Sequence, residues 1–358
     1  MRIVSLSPSC TEWVAALDAS EHLVGRSHAC DYPPPLKNLP SVTSCTIEVT
    51  SSRSIYDEIT KRVDNETGLQ DVDLDLIAHL EPDLILAQSL DGSDAQSLAR
   101  LEKSISTWPE KRASIFSMHA SSFKQVLNEA LRLAASIGRT REAMTYIAVM
   151  ERRLAALRNL VGIDKRSSPE SLPTIMCIEW LDPIVTATHW IPDMVELAGG
   201  RPLAGAGTFS GSGPFAVDVP RDANRSRADK SDGTSRLEGW EAVRRADPDV
   251  LAVLPHGFDL ETSRRELVSL TDRPGWRDLT AVKSDRVFAF DARAYFSRPG
   301  PRLYRGIELL ACALHPNRAA GAVKERARHG VEEGSVGAAR VWEMDAVRDW
   351  EMEIVRSA

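Results

Sequence analysis

The stretch SSFKQVLNEALRLAASIGRTREAMTYIAVMERRLAALRNLV, residues 121–161, decides how the chain is read. Its first part carries Phe123, Val126, Leu127, Ala130, Leu131 and Ala134 at i, i+3, i+4 spacing, which predicts a helix from about Ser122 to Ile137. Gly138 interrupts the pattern, and Thr140 offers a cap for a second helix. That second helix places Met144, Ile147, Met150, Leu154, Leu157 and Val161 on one stripe. At 1.5 Å per residue, a helix of about 20 residues spans roughly 30 Å, enough to cross a small domain. The segments before and after it read as two versions of one unit.

Upstream, Arg2–Leu6 predicts a short buried strand and Thr11–Leu17 a helix. Leu74 onwards predicts a helix stopped by Pro82 and followed at once by a buried strand, Leu84–Ala87. Leu98–Lys103 predicts another helix and Ile115-Phe116 a strand, while residues 40–70 are Ser/Thr-rich and weakly periodic. Downstream the pattern restarts, with a strand at Thr174–Ile178, a loop at Trp180–Pro183, a short strand at Ile184–Ala187 and a helix at Trp190–Ala198 ended by Gly199-Gly200. Gly239–Leu254 then repeats the helix, Pro-Asp, strand device. Aligning Pro82 with Pro248 sets Asp75 opposite Glu241 and Asp83 opposite Asp249. Val287–Phe290 predicts a late strand and Leu303–Leu314 an apolar helix. Alternating strands and helices predict an α/β fold of two parallel-sheet lobes bridged by a long helix, with a ligand cleft between them at the carboxyl ends of the strands. The expected divisions are an N-terminal lobe over 1–119, linker helices over 120–164, a C-terminal lobe over 165–316 with a polar insertion at 221–236, and an extension over 317–358 in which 341–355 fits an amphipathic helix.

Composition narrows the function classes. With 43% hydrophobic and 27% charged residues the chain is ordinary for a globular protein, and its net charge of −7 argues against a nucleic-acid footprint. Five cysteines, odd in number and without a CxxC, argue against a disulfide framework or a structural zinc site. Met1-Arg2 runs straight into Ile3–Leu6, too short for a signal-peptide core, and no apolar run approaches transmembrane length. As written, the sequence predicts a cytoplasmic monomer, or a periplasmic or cell-surface one if the true start lies upstream. No GxGxxG, HExxH or HxH occurs, and no metal site is assigned. His28, His119, His189 and His256 fall at strand or loop ends, where a cleft could gather them. No nucleophile, base and acid arrangement stands out, so no catalytic residue is assigned and an enzyme is not expected.

Aromatic residues at loops and element ends are more telling. Tyr32, Trp180, Trp190, Phe258, Tyr295 and Phe296 each fit an ordinary core position, yet as a set they would line a cleft for a large, flat ligand. Arg298, in Arg298-Pro299-Gly300-Pro301-Arg302, fits either a braced surface turn or a bidentate donor to the ligand. His256, just before Gly257-Phe258, is a further candidate ligand contact.

Several segments together resemble the helical-backbone substrate-binding proteins of ABC importers for cobalamin and iron-siderophores, most of all the cobalamin-binding members. The likeness rests on Ile3–Glu12 (IVSLSPSCTE), Asp31-Tyr32-Pro33-Pro34, Leu74–Ala87, Val195–Gly200 and Tyr295–Arg302 (YFSRPGPR), and it covers about 1–316. The resemblance implies a non-enzymatic binding protein for cobalamin or a related corrinoid, which would be its ligand rather than a cofactor. The alternatives are an iron-siderophore or haem carrier, or an enzyme acting on corrinoids on the same scaffold. It implies ligand contacts at Tyr32, Trp180, Tyr295 and Phe296, with Gln88 standing where some members place an aromatic contact. It also implies an ABC permease as partner, met by one acid on each lobe, here Asp75 and Glu241.

Overall fold

A computed structural model describes residues 1–45, 47, 51–64, 70–88, 101–106, 113–162, 171–203, 239–318 and 352–354. The expected insertion at 221–236 lies outside the described residues, as does most of the extension.

Strands β1 (Ile3–Ser5), β2 (Leu23–Arg26), β5 (Leu84–Gln88) and β6 (Ser114–Met118) form a wholly parallel sheet in the order β2-β1-β5-β6. A small pair, β3 (Thr43–Ser44) and β4 (Asp71–Val72), runs antiparallel beside it. The second sheet is parallel at its centre, where β7 (Thr174–Leu181), β10 (Val250–Val253) and β11 (Val287–Phe290) lie side by side. Short β8 (Ile184–Thr186) adds antiparallel to β7, and β9 (Arg201–Pro202) pairs with its start. Residues 352–354 form β12, antiparallel to β11, where the periodicity pointed to a helix. The free edge of β11 offers unpaired backbone groups that a strand satisfies and a helix does not.

The internal repeat holds at the level of single hydrogen bonds. Helix α3 (Leu74–His79) ends before Glu81, whose φ is 45°, and helix α7 (Gly239–Ala246) ends at Asp247, whose φ is 37°. Both residues precede a proline, which disfavours right-handed helical backbone in its neighbour. The next residue then ties the new strand to its partner. Asp83 accepts the backbone N–H of Arg2 at 2.8 Å, and Asp249 accepts that of Thr174 at 2.8 Å.

Helices α4 (Phe123–Ser136) and α5 (Thr140–Val161) occupy the 121–161 stretch as expected. Helix α5 buries Ala143, Tyr146, Met150, Leu154, Leu157 and Val161. The upper part of its stripe is therefore rotated by one position from the expected one, and Met144 stands 63% exposed. Tyr146 turns inward because its ring meets Trp13 edge-on at 5.5 Å and Tyr304 at 6.4 Å, and its hydroxyl donates to Pro301 O. The expected cap at Thr140 falls one residue late. Arg139 holds the N-cap position, without a side-chain bond.

One apolar core runs through both lobes. It joins Ile3, Trp13 and Leu86 to Tyr146 on α5, and on to Ile175, Val250, Phe288 and Tyr304. A large apolar contact of this kind resists relative motion of the units it joins.

Candidate ligand-binding site

Three groups of side chains gather where the strands end. The first is ionic. Helix α1 (Pro8–Ala16) follows β1 after a one-turn bend, with Pro8 in its first turn. Eight of its nine residues are buried, and they include Glu12, whose side chain is 1% exposed. An isolated carboxylate at that depth would be costly. Arg302 answers it with a fork of bonds, Nη2 to Oε1 at 2.6 Å and Nε to Oε2 at 3.0 Å. Arg298 adds Nη1 to Glu12 Oε1 at 3.0 Å and to Asp31 Oδ1 at 2.5 Å, and Nη2 to Ala29 O at 3.1 Å. Gly300 lies between the two arginines, where a Cβ would sit a tight 3.0 Å from Glu12 Oε2. Burial pushes the Asp31 pKa up, but the Arg298 charge and hydrogen bond, with Arg293 and Arg302 behind them, outweigh it and hold it below the usual carboxylate range.

Arg302 also lies over the Tyr32 ring, 4.3 Å from its centroid, and 5.8 Å from that of Tyr295. Tyr32 is half-buried and Tyr295 fully so. Phe296 and Trp190 lie deeper in the common core, where Trp190 Nε1 donates to Phe296 O at 2.7 Å and Phe296 packs edge-on against Phe290. Of the expected ligand contacts, Arg298 thus spends its bonds on joining the lobes, while Tyr295, Phe296 and Trp190 are buried in the common core. At the end of β5, Gln88 Oε1 accepts the hydroxyls of Ser7 at 3.0 Å and Ser9 at 2.8 Å, which fixes the side chain.

The second group is apolar. Trp180, the penultimate residue of β7 rather than part of a loop, packs with Val185 and Phe258. Helix α2 (Ser52–Asp64) covers all three with Ile55 and Ile59, and Tyr56 meets Trp180 edge-on at 6.2 Å. The helix crosses from the first lobe, and its start is fixed to the second by the Ser52 N–H donating to Glu266 Oε2 at 2.8 Å. The sequence did not announce this helix. Trp180 and Phe258 are each 2% exposed beneath it.

The third group lies on two loops that face each other. His256 follows β10 and His28 follows β2. Arg293 bridges the loops, 3.5 Å from Asp31 and 3.6 Å from Asp259. Behind it, Ser297 Oγ accepts the Gly257 N–H at 2.9 Å while Arg298 holds Ala29 O. His28 Nδ1 lies 2.7 Å from Thr43 Oγ1, and His256 Nδ1 lies 3.2 Å from Glu179 Oε1. The other two histidines stand elsewhere. His119 follows β6, at the opposite edge of the first sheet from His28, and His189 pairs with Thr188 beside Trp190. Among the described residues no group of three or more His, Cys, Asp and Glu could hold a metal ion.

Asp75 and Glu241 occupy the first turns of α3 and α7. Both are exposed, Glu241 with a 2.9 Å bond from Arg244.

Known proteins place this architecture. Residues 3–294 match the periplasmic binding protein family. The chain belongs to that family. A Bacillus subtilis (strain 168) relative, the uncharacterized ABC transporter substrate-binding lipoprotein YvrC, is 22% identical over 317 residues, 88% of this chain and 80% of its own. A periplasmic haem-binding protein from Pseudomonas aeruginosa superposes with a TM-score of 0.59 at 19% identity, covering 88% of this chain and 93% of that one. The periplasmic vitamin B12-binding protein BtuF of Vibrio cholerae gives 0.56 at 20% identity, covering 87% and 96%. At these identities the structural likeness carries the fold. None of the helices among the described residues is long and apolar enough to cross a membrane.

Proposed function

We propose that the chain is the ligand-binding component of an ABC import system for a metal macrocycle, cobalamin or a related corrinoid. The observation that carries this reading is the mouth itself. Half-buried Tyr32, Gln88 and His256 each lie at or just after the carboxyl end of a strand, Tyr32 and Gln88 on the first sheet and His256 on the second, which supplies an aromatic ring, an amide and an imidazole where ligands of such folds bind. The ligands for which proteins of similar fold are named, haem and vitamin B12, support a macrocycle over a sugar or amino acid. Haem is the second reading, supported by the haem-binding protein of similar fold. Asp75 and Glu241 support a permease partner, because the repeat sets one exposed acid at the same place on each lobe. Such a partner, and the lipoprotein named above, support function outside the cytoplasmic membrane.

The test is titration of purified protein with hydroxocobalamin, cyanocobalamin and ferric haem, followed by tryptophan quenching and calorimetry. Saturable one-to-one binding to a corrinoid, weakened in Tyr32→Ala, is expected. Binding of haem alone would replace the corrinoid with the second reading, and turnover of a bound corrinoid would overturn it in favour of an enzyme.

A further inference from the structure

We propose that His28 and His256 form a pair of axial ligands, one from each lobe, for a metal macrocycle whose two axial positions are both exchangeable. The inference deepens the reading above and rests on it. That reading needs only a macrocycle in the mouth, whereas this one fixes how its metal is held.

Hydrogen-bond counting sets the tautomer of each ring. Thr43 Oγ1 donates its one proton to Ser27 Oγ at 3.0 Å and accepts the His28 backbone N–H at 3.0 Å. Its remaining capacity is as an acceptor, so the 2.7 Å contact with His28 Nδ1 makes that nitrogen the donor. The Glu179 carboxylate only accepts, so His256 Nδ1 donates to it. In both rings the lone pair is therefore on Nε2. Neither Nε2 has a hydrogen-bond partner among the described residues, His28 is exposed, and the His256 side chain is 43% exposed. An imidazole fixed through Nδ1–H, with Nε2 left open, is the arrangement in which histidine ligates metals.

The loops that carry the two rings are tied to each other. His28 stands three residues before Asp31 and His256 three before Asp259, and Arg293 bridges these two aspartates. Adjacent residues Ser297 and Arg298 grip Gly257 and Ala29, the immediate neighbours of the two histidines. Two imidazoles are too few for a bare ion, and no larger set of donors lies with them among the described residues. They suit a metal that brings four equatorial nitrogens of its own. Each ligation is an exchange in which neutral Nε2 displaces one bound water, with no proton or electron transferred.

The experiment titrates the full chain with ferric haem and, separately, with diaquacobinamide, and reads tryptophan quenching and the metal's absorbance and electron paramagnetic resonance spectra together. The wild type is expected to bind one equivalent and give a six-coordinate, bis-imidazole spectrum. The arm in which this appears tells a porphyrin from a corrin. His28→Ala and His256→Ala should each still quench at one equivalent, bind at least roughly tenfold more weakly, and lose the bis-imidazole signature. Added imidazole should restore that signature in either variant, which a misfolded variant would not allow. Saturable quenching with a water-ligated or single-imidazole wild-type spectrum, or a His28→Ala spectrum equal to wild type, overturns the pair and leaves the binding reading standing. Absence of quenching by both macrocycles overturns both.

Discussion

Replacing Glu12 by Gln tests whether the lobes are locked by charge. The side chain keeps its size and one acceptor oxygen but loses its charge and gains an NH2 group. Glu12 accepts three arginine bonds, two from Arg302 at 2.6 and 3.0 Å and one from Arg298 at 3.0 Å. All three groups are buried, with side-chain exposures of 1%, 8% and 10% for Glu12, Arg302 and Arg298. Removing one partner of such a pair strands the others and costs about 3–5 kcal/mol. Arg298 keeps Asp31 and Ala29 O, and the amide oxygen still serves one bond, so the lower end, about 3 kcal/mol, is expected. Urea unfolding gives the measurement, as a shift of midpoint at unchanged slope. The paired replacement Glu12→Leu with Arg302→Met should cost less than Arg302→Met alone, because it leaves no carboxylate without its fork. A loss below about 1 kcal/mol in Glu12→Gln would mean the network behaves like an exposed ion pair. The claim that it locks the lobes would then fail.

Other consequences can be measured separately. Asp31 has a folded-state pKa held below its ordinary value of about 4. Its stabilisation is therefore full above that value and lost as pH falls through the lower folded-state one, so the stability gap between wild type and Asp31→Asn should close in strong acid; a constant gap down to about pH 2 would refute this. Ile55→Ser with Ile59→Ser removes burial worth about 1.5–3 kcal/mol per side chain and should free α2, raising acrylamide quenching of Trp180 (read against Trp180→Phe) and tryptic cleavage at Arg53, Lys61 and Arg62. Unchanged quenching and cleavage would show that the helix is held by something else. Burial pushes the Cys10 and Cys177 thiols up to about 12, so a thiol reagent at neutral pH should modify exposed Cys45 promptly and these two only on unfolding.

The architecture was legible because it is repeated and periodic. The helix, Pro-Asp, strand device could be aligned by eye, and its two aspartates then proved to bond the same strand position in each lobe. The α5 stripe was misread at one end because Met144 and Ile147 outrank Ala143 in hydrophobicity, while the ring contacts that turn Tyr146 inward come from Trp13 and Tyr304, far off in the chain. Helix α2 is hard to read from sequence since its buried strip is short, Ile55 and Ile59 one turn apart with Tyr56 beside them, and most of its other residues are polar. Glu12 and Arg302 were not singled out at all. A buried ion pair looks like two surface residues until the fold closes the 290 positions between them.

The same geometry explains why aromatic residues at strand ends divide between two tasks. Tyr295, Phe296 and Trp190 sit where α11 (Leu303–Leu314) and the loop before it pack back on the lobes, inside the shared core. Tyr32 sits on the same arginine but at the surface of the mouth. Opening that mouth by rotating the lobes would break the Glu12 network, the Trp13 Nε1 bond to Pro299 O at 3.0 Å and the core around Tyr146 together. Detaching α2 breaks less: the burial of Ile55 and Ile59, the Tyr56–Trp180 ring contact, a backbone bond to Glu266, and a 3.4 Å Arg53–Asp182 pair whose members are both more than half exposed and which contributes about 0–1 kcal/mol. Local release of a weakly bound element costs less than global opening. The accessible way to uncover Trp180 and Phe258 is therefore through α2, with the lobes, and the two loops that carry His28 and His256, left in place.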